Sequence, residues 1–312
     1  MSTSASVPTG PVAGSAALDL VEVVSCPMCG CDRFRIALEE PPYSVRRCGE
    51  CAFAWVSPRL TEAGLAAMYG DDSYWRSESP KTMGYGDYRG AQELYLRTFK
   101  RRLGYALRGG PRAGRSLDVG CAAGFCMLAC SELGFEAHGV ELSAEIARHA
   151  QQTLGFDTVH VGTLDSAPHP PGSFDLITMW DVVEHVVDPR ALLARARELL
   201  KPDGLLVLET QDIDSAFARL LGPRWHHYKH REHIYHFNPL TIRELLAAVG
   251  FEVQGLTHRY GGKDVSFAFI AERAGRLHPA ASAVLAPLAR FQSAAVYLNF
   301  MDEMVLTARP AG

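Results

Sequence analysis

The sequence predicts an α/β protein built around a doubly wound domain with a mostly parallel, seven-stranded sheet. A small zinc-ribbon domain precedes this sheet, and a helical lid covers it. Three observations lead to this prediction: two Cys-x2-Cys pairs near the start, short apolar runs that alternate with helical stretches through the middle, and a glycine-rich turn after the first such run. The 312 residues leave room for about two domains.

The composition excludes several classes of protein. With 47% hydrophobic and 21% charged residues, the chain is typical of globular proteins rather than of disordered or collagen-like ones. A net charge of −4 argues against a protein that binds bulk nucleic acid, because such binding needs excess basic charge. No apolar run is long enough to span a membrane, so no membrane partner is expected.

The beginning of the chain predicts a disordered leader over residues 1–20. This stretch is rich in Ser, Ala, Pro and Gly, and it lacks the basic segment and apolar segment of an export signal. We therefore expect a cytoplasmic protein. In that compartment clustered cysteines are more typical of a metal site than of a disulfide framework.

Residues 21–60 predict a zinc ribbon with a structural Zn²⁺. Its expected ligands are two knuckle pairs, separated by 18 residues: Cys26, Cys29, Cys48 and Cys51. Four thiolates close the tetrahedral shell, whereas a catalytic zinc keeps one position open for water. Short strands are expected at 34–37 and 44–47, and Cys31 is expected to be a bystander.

Residues 61–110 predict a helical linker or cap, in which the aromatic side chains are expected mainly to pack. The doubly wound core is expected over residues 111–275, because strand-like and helical patterns alternate there. The predicted strands are 116–119, 137–140, 158–161, 174–179, 204–208, 251–256 and 265–271. The predicted helices are 125–133, 143–154, 190–200 and 240–249. The last two strands are expected to pair antiparallel, since their connection is too short for a parallel crossover.

The glycine-rich turn predicts a nucleotide-like ligand at the carboxyl end of the first core strand. Residues 117–124 read Leu-Asp-Val-Gly-Cys-Ala-Ala-Gly, and Glu141 ends the second strand, where a carboxylate can accept hydrogen bonds from ribose hydroxyls. A nicotinamide cofactor would need G-x-G-x-x-G, but Ala122 and Phe125 stand at its second and third glycine positions. Asp118 can instead anchor an ammonium group, so a ligand with ribose and ammonium but no phosphate fits better.

These motifs resemble the class I S-adenosylmethionine-dependent methyltransferases, whose fold is Rossmann-like. The resemblance covers Leu117 to about Glu272, and includes Gly139-Val-Glu-Leu-Ser143, Asp181-Val-Val-Glu-His185 and Leu200-Lys-Pro-Asp-Gly204. The preceding part is similar to a subgroup in which a zinc ribbon leads into the transferase core. One departure is Ala122, where the family most often has Gly.

The resemblance implies a set of residues that bind S-adenosylmethionine. The glycine loop would wrap the methionine end, Glu141 would bind the ribose, and the residues after the third and fourth strands would contact the adenine and face the methyl group. The implied residues are Asp118, Gly120, Cys121, Gly124, Glu141, Leu142, Thr163, Leu164, Trp180 and Asp181.

Two histidines are candidates for a general base. His185 follows the fourth core strand, although the Glu184-His185 pair could simply stabilise a turn. His233 lies in a histidine-rich insertion within the predicted lid at 211–239, whose aromatic residues could form walls around the acceptor. A metal site made of His226, His230 and His233 is a further possibility, which a polar, aromatic lid explains equally well.

The preferred function is methylation of a small-molecule acceptor at a hydroxyl oxygen, with carbon or nitrogen acceptors as alternatives. Methylation of structured RNA is another, because the ribbon carries Arg33, Arg35, Arg46 and Arg47. A third is a non-catalytic, cofactor-binding partner protein. A helical tail is expected over 276–312, where it could complete the acceptor pocket or form a homodimer face.

Overall fold

The computed structural model describes residues 19–71, 74–75, 88–267, 270 and 295–312. The predicted leader therefore lies almost entirely outside the described residues. Within them, no helix combines the length and the apolar character needed to cross a membrane.

The N-terminal domain is a small antiparallel sheet, and its two expected strands are present and longer than predicted. The strands of this part are β1 (Leu20–Val21), β2 (Phe34–Glu40), β3 (Tyr43–Cys48), β4 (Ala54–Ser57) and β5 (Arg59–Leu60). Strands β2, β3 and β4 lie side by side, and β1 pairs with β5. Val45 and Val56 are buried on one face of this sheet and Trp55 on the other, so this small domain has apolar packing on both faces.

Two helices connect the ribbon to the core: α1 (Glu62–Gly70) and α2 (Gln92–Ala106). Helix α1 begins at Thr61, whose hydroxyl accepts a hydrogen bond from the Gly64 amide at 3.1 Å. Such a cap satisfies one of the amides that the first helical turn leaves unpaired. Helix α2 packs against the core helix α3 (Phe125–Glu132) and so reaches the cofactor side of the sheet.

The core contains the predicted seven-stranded, mostly parallel sheet. Its strands are β6 (Gly114–Val119), β7 (Phe135–Glu141), β8 (Val159–Val161), β9 (Phe174–Trp180), β10 (Leu200–Gln211), β12 (Phe251–Thr257) and β15 (Glu303–Pro310). The spatial order is β12-β15-β10-β9-β6-β7-β8, and only the pairs that involve β15 are antiparallel. The strand order reverses between β6 and β9, and crevices for ligands form at such points.

Three further helices cover this sheet: α4 (Ala144–Arg148), α5 (Pro189–Leu199) and α7 (Pro239–Ala248). Helix α6 (Ala216–Leu221) instead packs against the apolar cluster of the ribbon. Proline at the first position and a side-chain cap fix the starts of α5 and α7. Asp188 accepts from the Ala191 amide, and Asn238 accepts from the Leu240 and Thr241 amides.

Two expectations for the C-terminal part are wrong. The predicted hairpin does not form, because β12 pairs with β15, while β13 (Lys263–Ser266) pairs with β14 (Ala295–Leu298). The tail predicted as helical at 276–312 contains strands β14 and β15, and residues 276–294 lie outside the described part. The apolar run Met304-Val-Leu306 is fully buried inside the sheet, where strands lose the alternating pattern that identifies them in a sequence.

The segment 211–239, predicted as a lid, packs against the ribbon. Its short strand β11 (Tyr235–His236) pairs with β4 and completes the sheet of the ribbon. Trp225 packs into the ribbon's apolar cluster, and the Tyr235 and Phe237 rings lie 5.4 and 5.3 Å from the Phe53 ring. This segment therefore joins the ribbon to the core.

Candidate functional site

A cavity of about 250 Å³ lies at the carboxyl ends of β6, β7, β8 and β9. Nearly all of the residues implied to bind the cofactor line it: Asp118, Gly120, Cys121, Glu141, Leu142, Thr163, Leu164, Trp180 and Asp181. Gly124 is not among the lining residues; it sits at the start of α3. The sequence thus located this cavity on the correct edge of the sheet.

The glycine-rich loop has backbone conformations that favour glycine. Gly120 and Gly124 have φ angles of +71° and +83°, and a Cβ added at Gly120 would lie 2.9 Å from the Val182 side chain. Ala122, which replaces the usual glycine, has a φ of +47°, a region that side chains other than glycine rarely occupy. Its amide donates to Glu141 Oε2 at 2.9 Å, which holds the loop in this shape.

Glu141 is fixed by backbone amides before any ligand is considered. Its second oxygen, Oε1, accepts from the Ser143 amide at 2.8 Å. Burial raises the pKa of Glu141, and the backbone amides of Ser143 and Ala122 oppose this rise by stabilising the charged form. The carboxylate is therefore rigidly held at the cavity wall, as a ribose-binding group would have to be.

Asp118 is a buried carboxyl at the bottom of the same cavity. Thr178 Oγ1 donates to Asp118 Oδ1 at 2.6 Å. Burial raises the pKa of Asp118 to about 7, although the hydrogen bonds from Thr178 and Cys126 partly oppose it. The group can thus exchange a proton near neutral pH and gains from a cation placed beside it.

Aromatic side chains from the region between the ribbon and the core also line the cavity. They are Tyr69, Tyr74, Trp75, Tyr88, Tyr95 and Phe99. The rings of Tyr88 and Phe125 stack with centroids 5.4 Å apart. Sequence reasoning expected one or two helices of this region to pack over the cofactor site, and it expected these rings mainly to pack.

A buried network of charges borders the cavity beside Asp181. Arg102 lies 3.3 Å from Glu209 and 3.2 Å from Glu303, and Lys263 lies 3.3 Å from Asp181 and 3.1 Å from Glu303. Burial raises the pKa of Glu209 well above its usual value, whereas Lys263, His227 and Arg102 outweigh burial and lower that of Glu303. Sequence reasoning did not single out Arg102 or Lys263, which reach the cavity from distant parts of the chain.

His185 forms part of the cavity wall, and His233 lies behind it. The two ring centroids are 4.7 Å apart, and the Tyr69 hydroxyl lies 2.8 Å from His185 Nδ1. Burial lowers the pKa of His185 and lowers that of His233 well below its usual value, so both rings are held neutral. Glu184 is also completely buried beside them.

Neither His226 nor His230 is grouped with His233, although the His227 ring stacks on it with centroids 5.6 Å apart. His226 groups with His227 and Glu303, and His230 Nε2 lies 3.2 Å from Glu40. The segment has turns rather than the helix that would have placed His226 and His230 on one face. Among the described residues, the possible site of His226, His230 and His233 is therefore not formed.

The four cysteines of the ribbon converge on one point. Sγ of Cys26 lies 3.6 Å from Sγ of Cys51, and Sγ of Cys29 lies 3.6 Å from Sγ of Cys48. A tetrahedral zinc with ligands at 2.3 Å would place its sulfurs about 3.8 Å apart, so the arrangement fits the ion. Cys31 stands outside this group, as expected, and its sulfur accepts from the Arg33 amide.

Comparisons with known proteins agree with this architecture. A family described as a methyltransferase domain matches residues 88–256. Ubiquinone biosynthesis O-methyltransferases from Xanthomonas campestris pv. campestris and Xanthomonas axonopodis pv. citri are 35% and 34% identical, over 37% and 38% of this chain. The chain spans about half of their length, 55% and 56% respectively.

A solved structure shows the same fold. Magnesium protoporphyrin IX methyltransferase from Synechocystis PCC 6803, solved with bound SAH, superimposes with a TM-score of 0.51 and 15% sequence identity. The match covers 80% of this chain and 100% of that one. At this identity the likeness shows a shared fold alone.

Proposed function

The chain belongs to the methyltransferase-domain family within the class I S-adenosylmethionine-dependent methyltransferases, and we propose that it methylates a hydroxyl oxygen of a small-molecule acceptor. One observation carries the proposal. A single cavity combines the held Glu141 carboxylate, the buried Asp118 and the strained glycine loop with an aromatic wall and His185.

The cavity residues have the chemistry to hold the cofactor in one orientation. Asp118 would pair with its ammonium group, Glu141 would accept from the ribose hydroxyls, and Leu142, Thr163 and Leu164 would border the adenine. This leaves Trp180 and Asp181 on the side of the transferable methyl group. Two features of Gly120 support this fit: its positive φ angle, and the lack of space for a Cβ beside the Val182 side chain.

The chain's main contribution to methyl transfer is alignment. S-adenosylmethionine supplies a methyl group that its sulfonium already activates, so the reaction is an in-line displacement. The protein has to place the acceptor oxygen opposite the sulfur and exclude water. His185, neutral and at the cavity wall, is our first candidate to take the acceptor's proton, and His233 is the second.

A small acceptor is favoured over RNA. The ribbon's basic cluster is largely neutralised, because Arg46 pairs with Glu22, Arg47 with Asp214 and Arg33 with Glu50. Paired arginines have less charge available for phosphate contacts. The named activity of the Xanthomonas relatives supports oxygen as the methylated atom.

Transfer of isotope from labelled S-adenosylmethionine to a panel of small hydroxyl, carbon and nitrogen acceptors tests the proposal. Calorimetry with S-adenosylmethionine and its demethylated product should first show binding. Absence of binding would refute the cofactor assignment. Binding without transfer to any acceptor would favour a non-catalytic partner, and transfer only to carbon or nitrogen would overturn the oxygen assignment.

The base is tested once an acceptor is known. Replacing the true base by alanine should lower turnover by about 100 to 10,000 fold and leave cofactor affinity unchanged. His185→Ala and His233→Ala are compared with His230→Ala, a buried histidine of the same segment that lies against Glu40. If the first two variants keep a rate within a few fold of the wild type, alignment alone accounts for catalysis.

We further propose that the four cysteines hold one structural zinc. Burial raises the pKa of the Cys26 thiol to about 11, so a cation is needed to keep it as a thiolate at neutral pH. The cytoplasm is the proposed compartment, since none of the eight cysteines is in a disulfide.

A further inference from the structure

A cluster of three buried side chains behind the cavity wall has the composition of a metal site. Glu184, His185 and His233 each offer a ligand atom, and these atoms all lie within 4.8 Å of one another. Atoms that bind one transition-metal ion at about 2.1 Å lie roughly 3 to 4 Å apart, so the cluster is close to this geometry.

Glu184 has few hydrogen-bond donors within the described part of the chain. Its side chain is 0% exposed, and its one side-chain donor there is the Thr210 hydroxyl, which also donates to Gln211 Oε1 at 2.5 Å. A buried carboxyl group with so few donors is costly, and the cost is offset when a cation binds it. Nδ1 of His233 is likewise buried and makes no hydrogen bond among the described residues.

The backbone brings these groups together. The Glu184 carbonyl accepts from the amides of Ile234 and Tyr235, at 3.1 and 3.2 Å. These bonds attach the segment that carries His233 directly to the end of β9. The three side chains are therefore positioned by the fold, and not by chance rotamers on the surface.

Tyr69 completes the surroundings of His185. Its hydroxyl binds His185 Nδ1 and leaves Nε2 as the metal-binding nitrogen. Histidine ligands usually have such a partner on the second nitrogen, which fixes the ring. Without metal, the His185 ring instead contacts the backbone carbonyl of Glu232, and metal binding would replace that contact.

We propose that Glu184, His185 and His233 bind a divalent first-row transition metal, separate from the ion of the ribbon. Two imidazoles and one carboxylate suit Zn²⁺, Fe²⁺ or Co²⁺ better than Mg²⁺ or Ca²⁺. The ion fixes the segment 211–239 to the end of β9 and orients His185 at the cavity wall. With the ion bound, His185 and His233 act as ligands rather than as bases, and alignment alone accounts for catalysis, which is the second outcome of the alanine test of the two histidines.

Metal content and metal affinity test this site without any acceptor or cofactor. Wild type purified with its ribbon ion is titrated with Zn²⁺ or Co²⁺ alone and should bind one further equivalent. Glu184→Gln and His233→Ala should weaken this binding by at least about 100 fold, and Tyr69→Phe by about 10 to 100 fold. His230→Ala removes a buried histidine that is not one of the three proposed ligands, and it should leave the metal affinity unchanged.

Two results would overturn the proposal. Wild type that takes up no further ion in excess Zn²⁺ or Co²⁺ has no such site, and this measurement needs no variant. A further equivalent that Glu184→Gln and His233→Ala bind as tightly as wild type lies elsewhere. Calorimetric binding of S-adenosylmethionine, measured on the same samples, reports separately on the proposed function.

Discussion

Asp118 makes the stability of the protein depend on pH in a predictable way. Its folded-state pKa of about 7 lies well above the ordinary 3.8, because the carboxyl is buried. The difference corresponds to about 4 kcal/mol, since each pKa unit is worth about 1.4 kcal/mol. The raised pKa favours the protonated form in the folded protein. Its contribution to stability is therefore fully present below pH 3.8 and is lost as the pH rises to 7.

The variant Asp118→Asn removes this titration. The amide oxygen can still accept from Thr178, so the hydrogen bond at 2.6 Å can be retained. The free energy of unfolding of the variant, relative to wild type, should rise by about 3 kcal/mol between pH 5 and pH 8. Urea denaturation at the two pH values, without cofactor, measures this difference.

Asp175→Asn is the matched control, on the neighbouring strand β9. Its carboxylate pairs with Lys201 at 2.8 Å, and the lysine and the Arg115 amide lower its pKa against the effect of burial. Its relative stability should therefore stay constant between pH 5 and pH 8. If Asp118→Asn also gives a constant difference, the buried carboxyl does not hold a proton and the reasoning fails.

Three further predictions follow from the site and the ribbon. Glu141→Ala should weaken cofactor binding by about 1 to 3 kcal/mol, measured by calorimetry, because a charged acceptor of ribose hydrogen bonds is lost; unchanged affinity would remove Glu141 from the ribose site. Cys51→Ser should release one zinc per chain, seen by elemental analysis, and lower the melting temperature while folded molecules retain some turnover; a normally folded but inactive variant would place the ribbon in the active site. Asp214, whose pKa is lowered chiefly by its hydrogen bonds with Arg47, stabilises the protein above its unfolded pKa, and this contribution is lost as the pH falls through the lower folded value. In Arg47→Ala, the loss of unfolding free energy between pH 6 and pH 3, measured by urea denaturation, should be smaller than in wild type by about 1 kcal/mol or less. An unchanged dependence of the unfolding free energy on pH would contradict the pairing.

Sequence reasoning succeeded where the chemistry is local. The local features are the turn at 117–124, the carboxylate of Glu141 and the two cysteine knuckles. Each lies within a short stretch in which the residue types and their spacing indicate the local structure. The parallel strands were recognisable for the same reason, because each is a short apolar run with a helix before or after it. These features located both the cavity and the ribbon.

The remaining features depend on contacts between distant segments. Three charged residues of the buried network come from separate elements: Arg102, Lys263 and Glu303. No local sequence pattern therefore indicates that their side chains are in contact. The final strand was mistaken for part of a helical tail because its apolar run, buried on both faces, carries no alternation. The insertion at 211–239 was placed over the acceptor from its aromatic content, which cannot distinguish a pocket wall from packing against a neighbouring domain.

The position of β15 inside the sheet has a consequence for how the chain folds during synthesis. This strand is made about 50 residues after β12, yet it lies between β12 and β10. At about 5 to 20 residues per second, the ribosome needs several seconds to bridge that interval. Until then, β10 has one edge without a partner strand and β12 has no neighbouring strand. The nascent protein therefore has two strands whose unpaired backbone groups can pair with other chains. A chaperone that shields such edges would act in this window, and slower translation of residues 258–302 would increase aggregation.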